Sequence, residues 1–134
     1  MERIKRITVD RANFDFWQKH SLQFLEMALR ADKRERFAPA DGHGQAQGAC
    51  GDIVHIFLQV RDGHIHSASF ETNGCLYTVA CANTVVHLAE GKTLVEARSI
   101  DPESVSRWLE TLPEEEFHCA ELAVGALRMA LAGV

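Results

Sequence analysis

The sequence predicts one α+β domain, in which a small antiparallel three-stranded sheet packs against helices. Two observations lead to this prediction: strand-like segments cluster between residues 45 and 70, and helical patterns follow them to the end of the chain. The length of 134 residues and the hydrophobic content of 46% are typical of one globular domain, and they exclude disorder and a fibrous architecture. We therefore expect a single domain over residues 1–134, with residues 1–13 as a flexible polar lead-in.

The strand prediction is clearest around a short turn. Ile53–Val60 and Ile65–Phe70 are rich in β-branched and aromatic residues, and an Asp-Gly pair lies between them. Because Asp-Gly accepts the positive φ angles of a tight turn, the two segments are predicted to form an antiparallel hairpin. The glycine-rich stretch before them is expected to be mostly loop, with a short strand at Gln45–Ala49.

Helices are predicted on both sides of this hairpin. Apolar residues at three- and four-residue steps predict a first helix from Asp15 to about Ala31. Its apolar face is expected to hold Phe16, His20, Leu22, Leu25 and Leu29, widened by Phe24 and Ala28. The other predicted helices are a long one over Cys75–Glu90 that Gly91 ends, a short one opened by the Thr93–Glu96 capping box, one over 101–111, and a last one from Phe117. The expected core also includes Trp17, Phe57, Phe70, Trp108 and the last-helix residues Leu122, Ala123, Ala126, Leu127, Ala130 and Leu131.

The charge balance limits the partners of the protein. There are 19 acidic and 14 basic residues, and the formal net charge of −5 argues against nucleic-acid binding, which needs a basic face. No apolar run reaches the ~18 residues that a membrane helix needs, and the first residues lack the apolar core of a signal peptide. These features predict a cytoplasmic protein with no membrane association and with reduced thiols.

Three of the four cysteines lie at junctions between predicted elements. Cys50 precedes the first clear strand, Cys75 precedes the long helix and Cys119 opens the last helix. Such positions are unusual for packing cysteines, and a helix N-terminus is expected to favour a reactive thiolate at Cys75 and Cys119. Cys81 lies within the long helix and is expected to be a packing residue.

Three sulfur ligands leave a tetrahedral site one donor short. Asp52 and His118 both stand beside a junction cysteine, and either side chain is a candidate for the fourth ligand. An oxygen or nitrogen donor should hold a soft cluster less tightly than a fourth thiolate does, so the donor set favours a site that builds and releases its cargo.

The motifs Cys50-Gly51-Asp52, Gly74-Cys75 and Leu112-Pro113 followed by His118-Cys119 resemble the IscU/NifU N-terminal family of iron–sulfur cluster assembly scaffolds. The resemblance runs from about Gly48 to the end of the chain, through Gly91-Lys92-Thr93-Leu94 and Glu96-Ala97, and is weaker over 16–40. It implies a transient 2Fe–2S cluster on Cys50, Cys75 and Cys119, with Asp52 or His118 as the fourth ligand. It also implies a cysteine desulfurase as sulfur donor, apo iron–sulfur proteins as recipients, zinc as an alternative metal in the same pocket, and a scaffold rather than an enzyme. Cys119, and after it Cys75, are the implied sulfur acceptors.

Two positions depart from the family pattern. Arg30-Ala31-Asp32-Lys33-Arg34 stands where the family shows an Asn-Pro-Arg-Asn type signature, which puts the usual N-terminal contacts with the desulfurase in doubt. Glu116, in the acidic run Glu114–Glu116, stands where the family has a lysine that a specialised chaperone recognises, so this departure argues against the chaperone as a partner.

Other functional interpretations of the same residues stay open. The chain is alternatively a zinc-binding domain or a sulfur-acceptor protein that uses the same cysteines, and either a monomer or a homodimer. A thiol catalyst with His118 as base and Cys119 as nucleophile is disfavoured, because adjacent helix residues point about 100° apart. His55, His64 and His66 are expected to be surface residues of the hairpin rather than a metal-binding patch.

Overall fold

The computed structural model describes residues 20–49 and 51–134 of the chain. In chain order the elements are α1 (Leu22–Leu29), β1 (Gly42–Gln47), β2 (Ile53–Arg61), β3 (His64–Thr72), α2 (Leu76–Ala89), α3 (Leu94–Arg98), α4 (Pro102–Leu109), a 3₁₀ turn (Glu114–Glu116) and α5 (Phe117–Ala132). This is the predicted α+β architecture, with a three-stranded sheet and five helices within the described residues. The predicted lead-in, Phe16, Trp17 and Cys50 lie outside those residues.

The sheet is antiparallel throughout, with strand order β1-β2-β3. In its register Gly44 faces Ile56, and Phe57 faces Ser69. The Asp62-Gly63 turn has φ angles of 54° and 76°, so the predicted hairpin and the reason for it are confirmed. The short strand predicted at Gln45–Ala49 begins three residues earlier, at Gly42, and ends at Gln47.

Helix α2 lies at the centre of the domain. It contacts α1 on one side and α5 on another, and it also packs against β3. Most of its side chains are buried, including Cys81, which is 0% exposed as expected for a packing cysteine. The buried face predicted for the last helix is confirmed in α5, whose six named residues all lie in the core.

Helix α1 differs from its prediction in its start and in part of its buried face. Ser21 caps it, with its hydroxyl accepting from the Phe24 N–H, so the helix begins at Leu22 rather than Asp15. Its buried residues are Phe24, Met27 and Ala28, whereas Leu22 and Leu29 are exposed. The predicted apolar face is therefore confirmed at Phe24 and Ala28 and wrong at Leu22 and Leu29.

The capping predictions are confirmed in the shorter helices. Thr93 and Glu96 form a reciprocal capping box at α3, and Asp101 caps α4 with Pro102 in its first turn. Helix α4 ends at Leu109, two residues earlier than expected, because Glu110 adopts a φ of 64°. Trp108 is 40% exposed, so its assignment to the core is wrong.

Two glycines of β1 let the sheet lie directly on α5. A Cβ at Gly44 would stand 2.2 Å from the Ala126 carbonyl oxygen and from the Ala130 nitrogen, and a Cβ at Gly42 would stand 2.5 Å from the Ala130 oxygen. Only glycine permits this approach of strand to helix backbone. The contact fixes α5, and hence its N-terminus, relative to the sheet.

Of the helices in the described part of the chain, none is both long and apolar enough to cross a bilayer.

Candidate functional site

The chain topology brings three segments together at one end of the molecule. Asp52 directly precedes β2, Cys75 follows β3 and is the N-cap residue of α2, and Cys119 lies in the first turn of α5. Because β2 and β3 are antiparallel, the start of β2 and the end of β3 lie at the same end of the sheet. The predicted convergence of these three segments on one site thus has a structural basis.

Local hydrogen bonds hold the segment that carries Cys75. The Thr72 hydroxyl donates to the Ile53 carbonyl (2.6 Å), and the Asn73 side-chain oxygen accepts from the Ile53 N–H (2.8 Å). The Gly74 N–H donates to the Thr72 hydroxyl oxygen (3.0 Å). These bonds tie the end of β3 to the start of β2, so Cys75 leaves the sheet at a fixed position.

Three potential metal donors meet at the N-termini of α2 and α5. The Sγ atoms of Cys75 and Cys119 and a carboxylate oxygen of Glu116 all lie within 4.8 Å of one another. Cys75 is exposed, Glu116 is half-buried and Cys119 is 1% exposed. The cluster therefore has one face open to solvent and one face closed by the core.

The two other candidate donors flank this cluster on different sides. Asp52 reaches it through Thr78, whose hydroxyl lies 3.2 Å from Asp52 Oδ2. His118 Nε2 lies 3.7 Å from Cys119 Sγ and 4.0 Å from Glu116 Oε1. His118 is thus close to the cysteine beside it in the sequence, and Asp52 is connected to Cys75 and Cys119 through Thr78.

Thr78 is a site residue that the sequence analysis missed. Its buried hydroxyl lies 3.5 Å from Cys119 Sγ and 3.8 Å from Cys75 Sγ, in addition to its contact with Asp52. A hydroxyl has one hydrogen, so Thr78 donates to Asp52 or to Cys119 at any moment, while its oxygen remains able to accept from Cys75. Thr78 stands three residues after Cys75 in α2, and this helical spacing is the signal that places both side chains on one face.

Gly74 gives Thr78 the space that it occupies. A Cβ at Gly74 would stand 2.6 Å from the Thr78 Cβ and 2.8 Å from its Oγ1. The Gly74-Cys75 pair therefore has a packing reason beyond turn formation, since any side chain before Cys75 would displace the hydroxyl that connects the site residues.

Burial raises the pKa of two of the cysteine thiols, those of Cys119 and Cys81. Burial, joined by the nearby Cys75 and Glu116, raises the pKa of Cys119 to about 11, and the Thr78 hydrogen bond only partly offsets this. The thiolate expected at Cys119 from its helix position is therefore wrong for the metal-free protein, because burial disfavours the charged form. Burial also raises the pKa of Cys81 well above its ordinary value, which suits a packing residue.

Adjacent side chains at the start of α5 approach one another more closely than helix geometry suggested. The 3.7 Å between His118 Nε2 and Cys119 Sγ shows that the two side chains do meet, so the argument from their 100° separation is wrong. The raised pKa of Cys119 nevertheless opposes the thiolate that a nucleophilic role would need.

The remaining acidic and histidine candidates lie away from the cluster. Glu114 and Glu115 are exposed, so only Glu116 of the acidic run contacts a cysteine. His55 pairs with His43, which the sequence analysis did not consider, through a 2.9 Å contact between Nδ1 and Nε2. Within the described residues, the histidines of the sheet do not form a group of three donors.

An open cleft of about 560 Å³ adjoins the cluster. It lies between the loop after β1 and the first turns of α5, where it is lined by Ala46, Ala49 and Leu122 together with His118 and Glu121. The cleft leaves the His118 side of the site accessible from solvent, and His118 itself is exposed.

The fold and the site define a class of protein, and comparison with known sequences shows which family it is. The sequence model of the NifU-like N-terminal domain matches residues 31–133. The chain therefore belongs to the NifU-like N-terminal domain family, as its motifs predicted.

Two curated relatives are named as iron–sulfur cluster assembly scaffold proteins. The chain is 38% identical over 93 residues to the iron–sulfur cluster assembly scaffold protein IscU 1 of Archaeoglobus fulgidus, covering 69% of this chain and 61% of that protein. It is 38% identical over 85 residues to the iron–sulfur cluster assembly scaffold protein IscU of Escherichia coli, covering 63% of this chain and 66% of that protein. The chain thus spans less than two thirds of the length of these relatives.

Solved structures share the fold at lower sequence identity. A candidate iron–sulfur cluster assembly scaffold for the SUF system of Fervidobacterium islandicum has a TM-score of 0.70 at 17% identity, covering 85% of this chain and 97% of that one. The N-terminal part of a NifU-like protein from Brucella abortus has a TM-score of 0.67 at 17% identity, covering 84% of this chain and 92% of that one. These likenesses confirm the predicted fold.

Proposed function

We propose that this chain is a scaffold on which a 2Fe–2S cluster is assembled transiently and then transferred to apo-proteins. The observation that carries the proposal is the convergence of Cys75 and Cys119 sulfur atoms with a carboxylate oxygen at the solvent-facing end of α2 and α5. The names of the Archaeoglobus and Escherichia relatives support the same role. The cluster is cargo in this proposal, so the chain binds and releases it and carries out no turnover chemistry of its own.

The proposed sulfur ligands are Cys50, Cys75 and Cys119, with Asp52 or His118 as the fourth donor. The donor set fits a cluster, since thiolates are the usual ligands of iron–sulfur centres. The proximity of Asp52 to Thr78 and of His118 to Cys119 supports either choice of fourth ligand. An oxygen or nitrogen ligand weakens the hold on the cluster, which suits a site that must give it up.

Sulfur reaches the site as a persulfide from a cysteine desulfurase. A scaffold thiolate attacks the outer sulfur of the persulfide, the sulfur–sulfur bond to the desulfurase breaks, and the desulfurase cysteine leaves as its thiolate. Each transferred sulfur then needs two electrons from a reductant to become sulfide. We propose Cys75 as the first acceptor in the metal-free protein, because Cys75 is exposed whereas Cys119 is buried with a raised pKa.

Anaerobic reconstitution tests the proposal directly. The protein is mixed with ferrous iron, cysteine, a cysteine desulfurase and dithiothreitol, and the visible absorption and Mössbauer spectrum are recorded before transfer to an apo-ferredoxin. We expect a cluster in the wild type and in Cys81→Ala, whose cysteine lies in the core, and none in Cys75→Ala. A wild-type protein that stays colourless under these conditions contradicts the proposal.

A zinc domain is the second candidate, because two thiols and a carboxylate also suit Zn²⁺. In a structural zinc domain, removal of the metal unfolds the protein. The described residues of this chain already form a continuous apolar core from the sheet, α2 and α5. We therefore expect the chain to stay folded after zinc is chelated, and loss of its circular dichroism on chelation would favour the structural zinc domain instead.

A further inference from the structure

Glu116 directs its carboxylate at the cysteines of the site rather than at the helix that it precedes. It is the N-cap residue of α5, yet its side chain makes no capping hydrogen bond to that helix. Instead Oε1 accepts a hydrogen bond from the Cys119 thiol, with 3.7 Å between the oxygen and the sulfur. The ordinary structural use of an acidic residue at this position, acceptance of the free N–H groups, is therefore not what orients the side chain.

No cationic side chain accounts for this orientation either. Among residues 20–49 and 51–134, Glu116 pairs with His118 at 4.0 Å, and no lysine or arginine pairs with it. The carboxylate is half-buried beside two thiols, each of which becomes an anion when it binds a metal. When both thiols are ionised, three such groups this close repel one another unless a cation lies between them.

The distance between Glu116 and Cys119 equals that between two ligands of one ion. In a tetrahedral zinc site with Zn–S bonds of about 2.3 Å and Zn–O bonds of about 2.0 to 2.2 Å, a sulfur and an oxygen ligand lie about 3.5 to 3.7 Å apart. The observed separation of Cys119 Sγ from Glu116 Oε1 is 3.7 Å. The third donor, Cys75 Sγ, lies within 4.8 Å of both.

We propose that Glu116 is a ligand for a divalent cation, Zn²⁺ or Fe²⁺, bound together with Cys75 and Cys119. The inference rests on the proposed function, since it assigns the metal-loading ligand of the same site. Binding gives a centre with two thiolates, one carboxylate and a net charge of −1, and each protonated thiol releases its proton to solvent. One tetrahedral position stays open to water or to a further donor, which is where incoming sulfur would meet the metal.

Metal titration of the reduced, metal-free protein tests this role. Co²⁺ binding is followed by its sulfur-to-metal charge-transfer and visible bands, and Zn²⁺ affinity is measured by competition with a chromophoric chelator. The variants are Glu116→Gln, which keeps the shape but removes the anionic donor, and Glu116→Lys. The matched control is Glu115→Gln, which makes the same change in net charge at an exposed neighbour. Near-ultraviolet circular dichroism and Tm establish that each variant is folded.

We expect Glu116→Gln to weaken Zn²⁺ binding by about tenfold or more, because even residues that only support metal ligands change affinity by about 10- to 100-fold. The visible Co²⁺ bands should shift in Glu116→Gln, binding should be weaker still in Glu116→Lys, and Glu115→Gln should behave as wild type. Equal losses in Glu116→Gln and Glu115→Gln would mean that only general charge matters, and they would overturn the inference. So would unchanged affinity in Glu116→Gln, or no binding by the wild type.

The two proposals fail separately. If Zn²⁺ affinity depends on Glu116 while anaerobic reconstitution leaves the wild type colourless, the scaffold function is wrong and the ligand assignment stands. If the wild type forms a cluster and Glu116→Gln binds Zn²⁺ as the wild type does, the ligand assignment alone is wrong.

Discussion

Replacement of Thr78 by valine removes the hydroxyl that connects the proposed ligands and keeps the shape of the side chain. In the metal-free protein the hydroxyl lies 3.5 Å from Cys119 Sγ and lowers its pKa against the larger effect of burial. Thr78→Val should therefore raise the pKa of Cys119 above its already high value of about 11. A hydrogen bond contributes about 0.5 to 1.5 kcal/mol net. At about 1.36 kcal/mol per pKa unit, its complete loss corresponds to about 0.4 to 1.1 units.

The expected rise lies toward the lower end of that range because the Thr78 hydrogen is shared. Asp52 competes for the same hydrogen at 3.2 Å, so the Thr78 hydroxyl is available to the Cys119 sulfur for only part of the time. The assay is the Cβ chemical shift of isotopically labelled Cys119 as a function of pH, which reports the ionisation of that thiol directly. Thermal unfolding of the same samples shows whether the variant is folded at each pH.

Thr84→Val is the matched control for this experiment. Thr84 is buried in the same helix, but its hydroxyl donates to the Ala80 carbonyl of the helix itself (2.8 Å). The two variants therefore lose the same chemical group, and only one of them loses it from the site. A Cys119 pKa that is unchanged in Thr78→Val, or that rises as much in Thr84→Val, would refute the role given to the Thr78 hydroxyl.

Three further results are expected. Gly44→Ala should lower the free energy of unfolding in urea by about 1 to 3 kcal/mol or more, since its Cβ would lie 2.2 Å from backbone atoms of α5. Gly125→Ala should stabilise the fold or leave it unchanged, because its Cβ would have its nearest neighbour at 3.8 Å. Because folding raises the pKa of Cys119 to about 11, the folded state of the metal-free protein keeps a proton that the unfolded chain loses from about pH 9. The free energy of unfolding should then fall as pH rises between these values, and this fall should be absent in Cys119→Ala. Iodoacetamide followed by peptide mass spectrometry should modify exposed Cys75 and spare Cys81 until the protein unfolds; equal labelling of the two would contradict their assigned environments.

The elements with strong local signals were predictable from the sequence. The Asp-Gly turn, the Thr93–Glu96 capping box and the Asp101-Pro102 start of α4 each depend on a few neighbouring residues, and all three are confirmed. The junction positions of Cys75 and Cys119 followed from these boundaries. This is why the sequence indicated where the two cysteines meet without a structure.

Features that depend on distant partners were not predictable in the same way. Helix α1 is apolar on more than one side, so its periodicity alone does not decide between the face of Leu22 and the face of Met27. Packing against α2 decides it. Trp108 was assigned to the core for its size alone, and its 40% exposure shows that residue type does not locate a side chain.

The acidity of Cys119 illustrates the same limit at the site. Its position near a helix N-terminus is visible in the sequence and favours a thiolate. Its burial against the core and its closeness to Glu116 are tertiary facts, and together they raise the pKa instead. Glu116 lies three residues before Cys119, a spacing that places the two side chains near each other at the start of a helix, so this contact was open to prediction although it was not made.

The glycine contact between β1 and α5 has a consequence for the precision of the site. Cys119 and Ala130 are 11 residues apart on α5, and at about 1.5 Å per residue the sulfur-bearing turn lies about 16 Å along the axis from the Gly44 contact. With that contact as a pivot, a tilt of the helix by about 4° moves the sulfur by about 1 Å, whereas metal–ligand distances tolerate about 0.2 Å. The packing of β1 against α5 therefore helps to determine the position of the Cys119 sulfur, although the contact lies far from the sulfur along the helix.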